Sequence, residues 1–158
     1  MTAAAAAAAT ELVAALCLSA GPVPPATAAT VATLATPHFT LRWQHSIEKT
    51  AWEEDYVVAG DWLLLSGARI HGSGAGMEPP PGAQLQGGVW HYRLADPWRR
   101  TLELARSEFV RDYELCLDNK RGAKSGFACQ PLGHWIAVQA GTTTLRACTV
   151  PALRTGTL

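Results

Sequence analysis

The chain lacks an excess of charge of either sign: thirteen basic and thirteen acidic side chains cancel over 158 residues. A nucleic-acid binder carries a basic excess or a dense Lys/Arg run. The longest basic clusters here are Trp98-Arg99-Arg100 and Lys120-Arg121-Gly122-Ala123-Lys124, so nucleic acid is not an expected partner. No stretch reaches the ~18 consecutive apolar residues of a membrane span, which leaves membrane contact peripheral at most. The C-x2-C and H-x3-H spacings of zinc sites are missing, and neither a metal nor a cofactor is expected. No segment holds a 3.6-residue period over ten residues or more, so no long helix is expected.

What remains is a chain that is 48% apolar and 16% charged, of a size for one domain. A domain of this length buries roughly two-thirds of its unfolded surface and needs no metal to fold. Residues 1–10 read as a disordered, alanine-rich leader and residues 11–158 as a single all-β domain. The opening MTAAAAAAATELVAALCLSAG contains an apolar run of signal-peptide length, yet no Lys or Arg precedes it and Glu11 sits inside it. Ala14-Ala15-Leu16-Cys17 resembles a lipoprotein cleavage site, with a bulky Leu16 where a small residue is preferred. Two readings stand: cleavage after an alanine or before Cys17, or an uncleaved leader followed by a first strand over Glu11–Ser19. The first places the protein outside the cytoplasm, in the periplasm; the second leaves it cytoplasmic.

From Thr30 onward the dominant period is two, that of strands. Phe39, Leu41, Trp43 and Ile47 share one face of FTLRWQHSI; Arg42, Gln44 and Ser46 take the other. Trp52, Glu54, Tyr56 and Val58 share a face of AWEEDYVV. Further short strands are predicted over Trp62–Leu65, Val89–Leu94, Thr101–Arg106, Tyr113–Leu117, Trp135–Gln139 and Thr142–Cys148, with turn signals such as Ala59-Gly60-Asp61 and Asp96-Pro97 between them. The pattern is that of a small all-β antiparallel sandwich or barrel-like domain. Most of the six tryptophans are expected in its core.

Four cysteines allow three connectivities. Cys116 and Cys129 flank LDNKRGAKSGFA, a polar segment that reads as a hairpin loop. A bridge there closes about fourteen residues and contributes roughly 3 kcal/mol on the chain-entropy model. Cys17 and Cys148 are then left to staple the first strand to the last. Four buried thiols in a reducing compartment are the alternative.

The stretch RIHGSGAGMEPPPG, Arg69 to Gly82, packs four of the fourteen glycines and three of the ten prolines into one connection. It is not a phosphate loop: no lysine follows the glycines, and three prolines cannot open a helix interior. Glycines that tolerate positive φ can turn successive N–H groups into one concavity, and the prolines hold a stiff exit. Such a bend is either a backbone nest beside Met77 and Glu78 or an ordered crossover that binds nothing.

Polar residues on apolar faces are the other anomaly. Strict alternation puts His45 on the face of Phe39, Leu41 and Trp43, and Glu54 between Trp52 and Tyr56. A carboxylate against aromatic rings has its pKa raised unless cations or N–H groups meet it; Lys49, Arg42 and Arg69 are the candidate partners. His45, Glu54 and Arg69 form either a structural polar network or a pocket with Glu48, Lys49, Ser73 and Glu78. Catalysis is not expected. Ser46 and His45 point to opposite faces, no G-x-S-x-G elbow occurs, and nothing fixes the separation of Glu48 and Glu54.

The segments FTLRWQHSIEKTAWEEDYVV, ARIHGSGAGMEPPPGA and YELCL with a following CQPL, in that order, resemble the bacterial domain-of-unknown-function family 1850. The resemblance extends over nearly all of the chain after Leu16. It implies a place beside the membrane component of tripartite ATP-independent periplasmic (TRAP) transporters that use a TAXI-type solute-binding protein. The implied role is a non-enzymatic accessory to solute uptake, binding a small anionic solute or the transporter. The alternatives are a module that docks on the membrane subunit and takes no small molecule, and a carboxylate-dependent hydrolase. Carried across by motif, the ligand or partner surface comprises His45, Ser46, Glu48, Lys49, Trp52, Glu54 and Tyr56, with Arg69, Ser73, Gly74, Gly76, Met77 and Glu78 opposite them.

Overall fold

The computed structural model describes residues 10–22, 29–46, 49–72, 79–119, 126–137 and 141–152. Twelve strands run through these residues: β1 (Leu12–Ala20), β2 (Thr30–Ala35), β3 (His38–Gln44), β4 (Ala51–Ala59), β5 (Trp62–His71), β6 (Gln84–Gln86), β7 (Val89–Tyr92), β8 (Trp98–Arg99), β9 (Thr101–Arg106), β10 (Glu114–Asn119), β11 (Gly126–Pro131) and β12 (Gly141–Pro151). They form two antiparallel sheets, not a closed barrel. The first has the order β2-β1-β12-β9; the second has β11-β10-β3-β4-β5-β7-β6, with β8 added to β5.

Alternation explains the packing. Leu16, Leu18 and Leu145 of the first sheet and Phe39, Leu41, Leu63 and Leu115 of the second are at most 2% exposed. They meet in one core. Each such side chain stabilises the fold by roughly 1.5–3 kcal/mol relative to leaving it in water. Phe39 stacks on Tyr56 from the adjacent strand with ring centroids 5.1 Å apart, a cross-strand pair of the kind that fixes register.

The segment around Cys17 is an integral strand. β1 pairs β12 over its whole length, from Leu12↔Pro151 to Ala20↔Thr143, and β2 on its other side. The strand is offset by one residue from the expected Glu11–Ser19. Both cysteine pairs are bonded: Cys17 to Cys148 and Cys116 to Cys129. The second bridge joins residues directly opposite each other in β10 and β11.

One predicted strand, Trp135–Gln139, is not formed over its described residues, 135–137. Trp135 lies not in a strand but just after a 3-10 turn, Leu132–His134. Leu132 N–H donates to Tyr113 O at 2.7 Å, and Ile136 N–H donates back to Leu132 O at 3.2 Å. Leu132 and Ile136 both enter the core, so a four-residue spacing, not the apparent alternation, governs this segment. Val138 and Gln139 lie outside the described residues. β7 also ends at Tyr92, two residues short of the predicted Leu94.

Candidate functional site

A polar cluster lies on the outer face of the second sheet. Register places Arg42, Glu53 and Arg69 side by side on β3, β4 and β5, with Thr40 and Asp55 one pleat along. Arg42 Nε donates to Glu53 Oε1 at 2.8 Å. Arg69 Nε donates to Glu53 Oε2 at 2.7 Å, and its two terminal nitrogens hold both oxygens of Asp55. Thr40 Oγ1 completes the set, donating to Asp55 Oδ1 at 2.7 Å. Burial would raise the Glu53 pKa, but the hydrogen bonds from Arg69 and Arg42 outweigh it and hold the carboxyl below its usual range. Asp55 in turn pushes the Arg69 pKa further up. Two cations meet two carboxylates, so the network is balanced within itself.

This corrects the expected role of Arg69. Its guanidinium is engaged by Glu53 and Asp55, and it faces away from Glu54, because the residue opposite it in β4 is Glu53. Arg42 likewise pairs with Glu53. Glu54 instead points inward and accepts a hydrogen bond from the Tyr56 hydroxyl at 2.6 Å. Desolvation raises its pKa; Tyr56 and the charge of Arg99 oppose the rise only in part. Tyr56 is 3% exposed.

A different group of the expected residues does come together. His45, Ser46 and Lys49 line a hollow of about 540 Å³ at the end of the sandwich, with Trp43, Phe109, Val110, Arg111 and Tyr113. The turn between β3 and β4 shapes it. His45 N–H donates to Thr50 O at 2.9 Å, and Lys49 N–H donates to His45 O at 3.0 Å. Lys49 takes a left-handed conformation, φ 55°, uncommon for a residue with a side chain. Its carbonyl accepts from Gln44 Nε2 at 3.0 Å. Behind the turn His45 stacks on Trp52 at 5.9 Å. Trp43 touches Trp52 and Tyr113 at centroid distances of 5.7 and 6.1 Å.

The opposite wall of the hollow hangs from a buried ion pair. Arg106, at the end of β9, donates to Asp112 Oδ1 at 2.8 Å and Oδ2 at 2.7 Å. It also donates to Ile136 O and Thr143 Oγ1 at 3.0 and 3.1 Å. Asp112 accepts further from Gly133 N–H at 2.8 Å. The segment between them, Ser107–Arg111, is thereby fixed at both ends and presents Phe109 to solvent. None of Trp43, Phe109, Arg111 and Tyr113 was among the expected site residues. The one sequence signal for them is an apolar pair, Phe109-Val110, in an otherwise polar stretch.

The glycine-rich bend begins at this same end. Gly72 has φ +123°, and a Cβ there would lie 3.0 Å from Thr50 Cγ2, so both backbone and space call for glycine. The bend closes in a turn in which Ala83 N–H donates to Pro80 O at 3.0 Å. Ser73, Gly74, Gly76, Met77 and Glu78, and Glu48 in the other motif, lie outside the described residues. Among the described residues no group of three or more His, Cys, Asp or Glu gathers for a metal. Among the described residues no helix is long and apolar enough to cross a membrane.

No curated protein and no solved structure matches the chain at a significant level. The hollow, the outer-face network and both motifs all fall within residues 39–122. Those residues, just over half of the chain, match the family model described as a domain of unknown function, DUF1850, and the chain belongs to that family.

Proposed function

We propose that the protein is a non-enzymatic accessory module of a TAXI-type tripartite ATP-independent periplasmic transporter, working outside the cytoplasm, whose Trp43–Phe109 hollow receives a small anionic solute. The hollow carries the binding part of this reading. Lys49 and Arg111 bring cations to it, Arg111 while also pairing with Glu114 at 3.3 Å; Trp43, Phe109 and Tyr113 bring apolar area, and no Asp or Glu stands among its described lining residues. A carboxylate there gains charge-assisted hydrogen bonds, while its body covers aromatic surface. Two disulfides support an oxidising compartment. The tie to the transporter rests on resemblance to relatives that stand beside its membrane component.

Thermal-shift measurements against organic acids and amino acids test the solute. A ligand that raises Tm in the wild type should lose its effect in Lys49→Ala and Arg111→Ala. It should keep it in Arg69→Ala, whose charge is spent inside the outer-face network. If no acid raises Tm, solute binding fails.

A second reading draws on the 93% exposure of Phe109 and the 54% exposure of Val110. An apolar tip of this kind marks contact with another protein, here the transporter's membrane subunit. Co-purification with that subunit, abolished by Phe109→Ser with no solute present, favours it.

A further inference from the structure

Glu54 is an inward carboxylate that forms no ion pair among the described residues. One oxygen accepts from Tyr56; the other is left to solvent. Arg99, the cation whose field it feels, directs its Nη1 to the carbonyls of Asp96 and Trp98 at 2.9 and 2.8 Å. A carboxylate held among aromatic and aliphatic groups without a partnered cation is costly, and it persists here at an opening, not in a sealed core.

That opening is a cleft of about 310 Å³ between the two sheets. It exists because β9 ends the first sheet, pairing β12 on one side only, and so leaves a gap above β3 and β4. Leu41, Trp43, Leu102, Leu104 and Tyr113 line it around Glu54, with Thr101 and a second carboxylate, Glu103, on β9, and no Lys, Arg or His stands among its described lining residues. Register sets Glu54 directly opposite Leu41. The Trp43 and Tyr113 rings, 6.1 Å apart and inclined at 45°, form the end of the cleft.

We propose that this cleft binds an organic cation: a primary ammonium group on a short aliphatic body, with the nitrogen at the free oxygen of Glu54. The carboxylate supplies the charge-assisted hydrogen bond, the Trp43 and Tyr113 faces add cation–π attraction, and Leu41, Leu102 and Leu104 cover the chain. The site is opposite in sign to the Lys49 hollow, with which it shares the Trp43 and Tyr113 walls.

The probe is n-butylammonium, titrated into ¹⁵N-labelled protein at pH 7, with n-butanol as the uncharged control. Saturable shifts of the Trp43 indole and the β9 amides are expected, with affinity at least about fivefold weaker for n-butanol and in Glu54→Gln. Gln keeps the shape and still accepts from Tyr56. Less than a fivefold loss on either count, or no saturable shift in the wild type, overturns the proposal. Should Glu54→Gln fail to fold, the wild type decides by pH. The titratable and charged groups around Glu54 are Tyr56, Tyr92, Tyr113 and Arg99, with Glu103 also lining the cleft; burial raises the three tyrosines, which stay protonated between pH 4 and 7, and Glu103→Gln serves as the background for this series. Affinity must therefore fall as Glu54 takes up a proton on acidification, and an affinity constant over that range overturns the site. Lys49→Ala leaves this binding intact, so the result is separable from that of the anionic hollow.

Discussion

Glu53 and Glu54 are neighbours in β4 that face opposite sides of one sheet and experience opposite electrostatics. Glu53 is clasped by Arg42 and Arg69 on the outer face, and its pKa is lowered. Glu54 is turned toward the core with a tyrosine hydroxyl for company, and its pKa is raised. Two identical side chains, one residue apart, therefore make opposite contributions to stability as pH changes.

The signs follow from linkage. For Glu53 the folded pKa lies below the ordinary 4.5, so its stabilisation is present above that value and is lost as pH falls through the folded pKa. For Glu54 the folded pKa lies above 4.5, so its charged form destabilises the fold once pH rises through that interval. Glu54→Gln should raise Tm at pH 7 and change it little at pH 4. Glu53→Gln should lower stability at pH 7 by about 2 kcal/mol, the worth of hydrogen bonds to a charged group. Thermal melts at the two pH values check both signs.

Arg69→Ala removes the cation that holds Asp55 and leaves Glu53 to Arg42 on the outer face. Because Arg69 and Asp55 are each about a third exposed (side-chain exposures 27% and 32%), solvent screens part of the loss, and a destabilisation of about 2 kcal/mol is expected. A double-mutant cycle with Glu53→Ala in urea should return a coupling of about 0.5–3 kcal/mol; additivity would mean that the network contributes nothing beyond its separate parts.

Arg106 has a 1% exposed side chain, so Arg106→Ala leaves Asp112 without its cation in a largely water-free place. The expected loss is about 3–5 kcal/mol in urea denaturation. Arg111→Ala, one residue from Asp112 and 69% exposed, should change stability by less than about 0.5 kcal/mol.

The two disulfides span very different lengths of chain, 131 residues for Cys17–Cys148 and 13 for Cys116–Cys129. On the chain-entropy model the long bridge stabilises by nearly 5 kcal/mol and the short one by about 3 kcal/mol. Paired Cys→Ser variants compared by urea denaturation should rank in that order. Thiol counting on unreduced, denatured protein should find none free.

Much of this fold was legible because alternation is a local property. The faces of Phe39-Leu41-Trp43 and of Trp52-Glu54-Tyr56 follow from period two alone, and so does the inward carboxylate. What alternation cannot supply is the neighbouring strand and its register. Arg69 meets Glu53, not Glu54, because a shift of one residue moves a side chain to the other face, and nothing within β5 encodes that offset. The bulge between Asp55 and Tyr56 hides the register further. Trp135 failed for the opposite reason: its surroundings imitate alternation over five residues, while burial of Leu132 and Ile136 selects a turn. The Phe109 wall was unreadable because an exposed aromatic carries no period at all; its position is set by Arg106 and Asp112 on either side.

The pairing of Leu12 with Pro151 has a practical corollary. Residues 11 and 152 meet at one tip of the domain, where Ala152 N–H donates to Glu11 O at 2.8 Å. The Lys49 hollow sits at the far tip, beside Arg106, which pairs with Gly141 at the start of β12. The eleven residues of that strand hold the tips about 33 Å apart at the usual rise. A fluorophore attached at Leu12 or Pro151 therefore marks the base of the molecule and leaves the hollow facing outward.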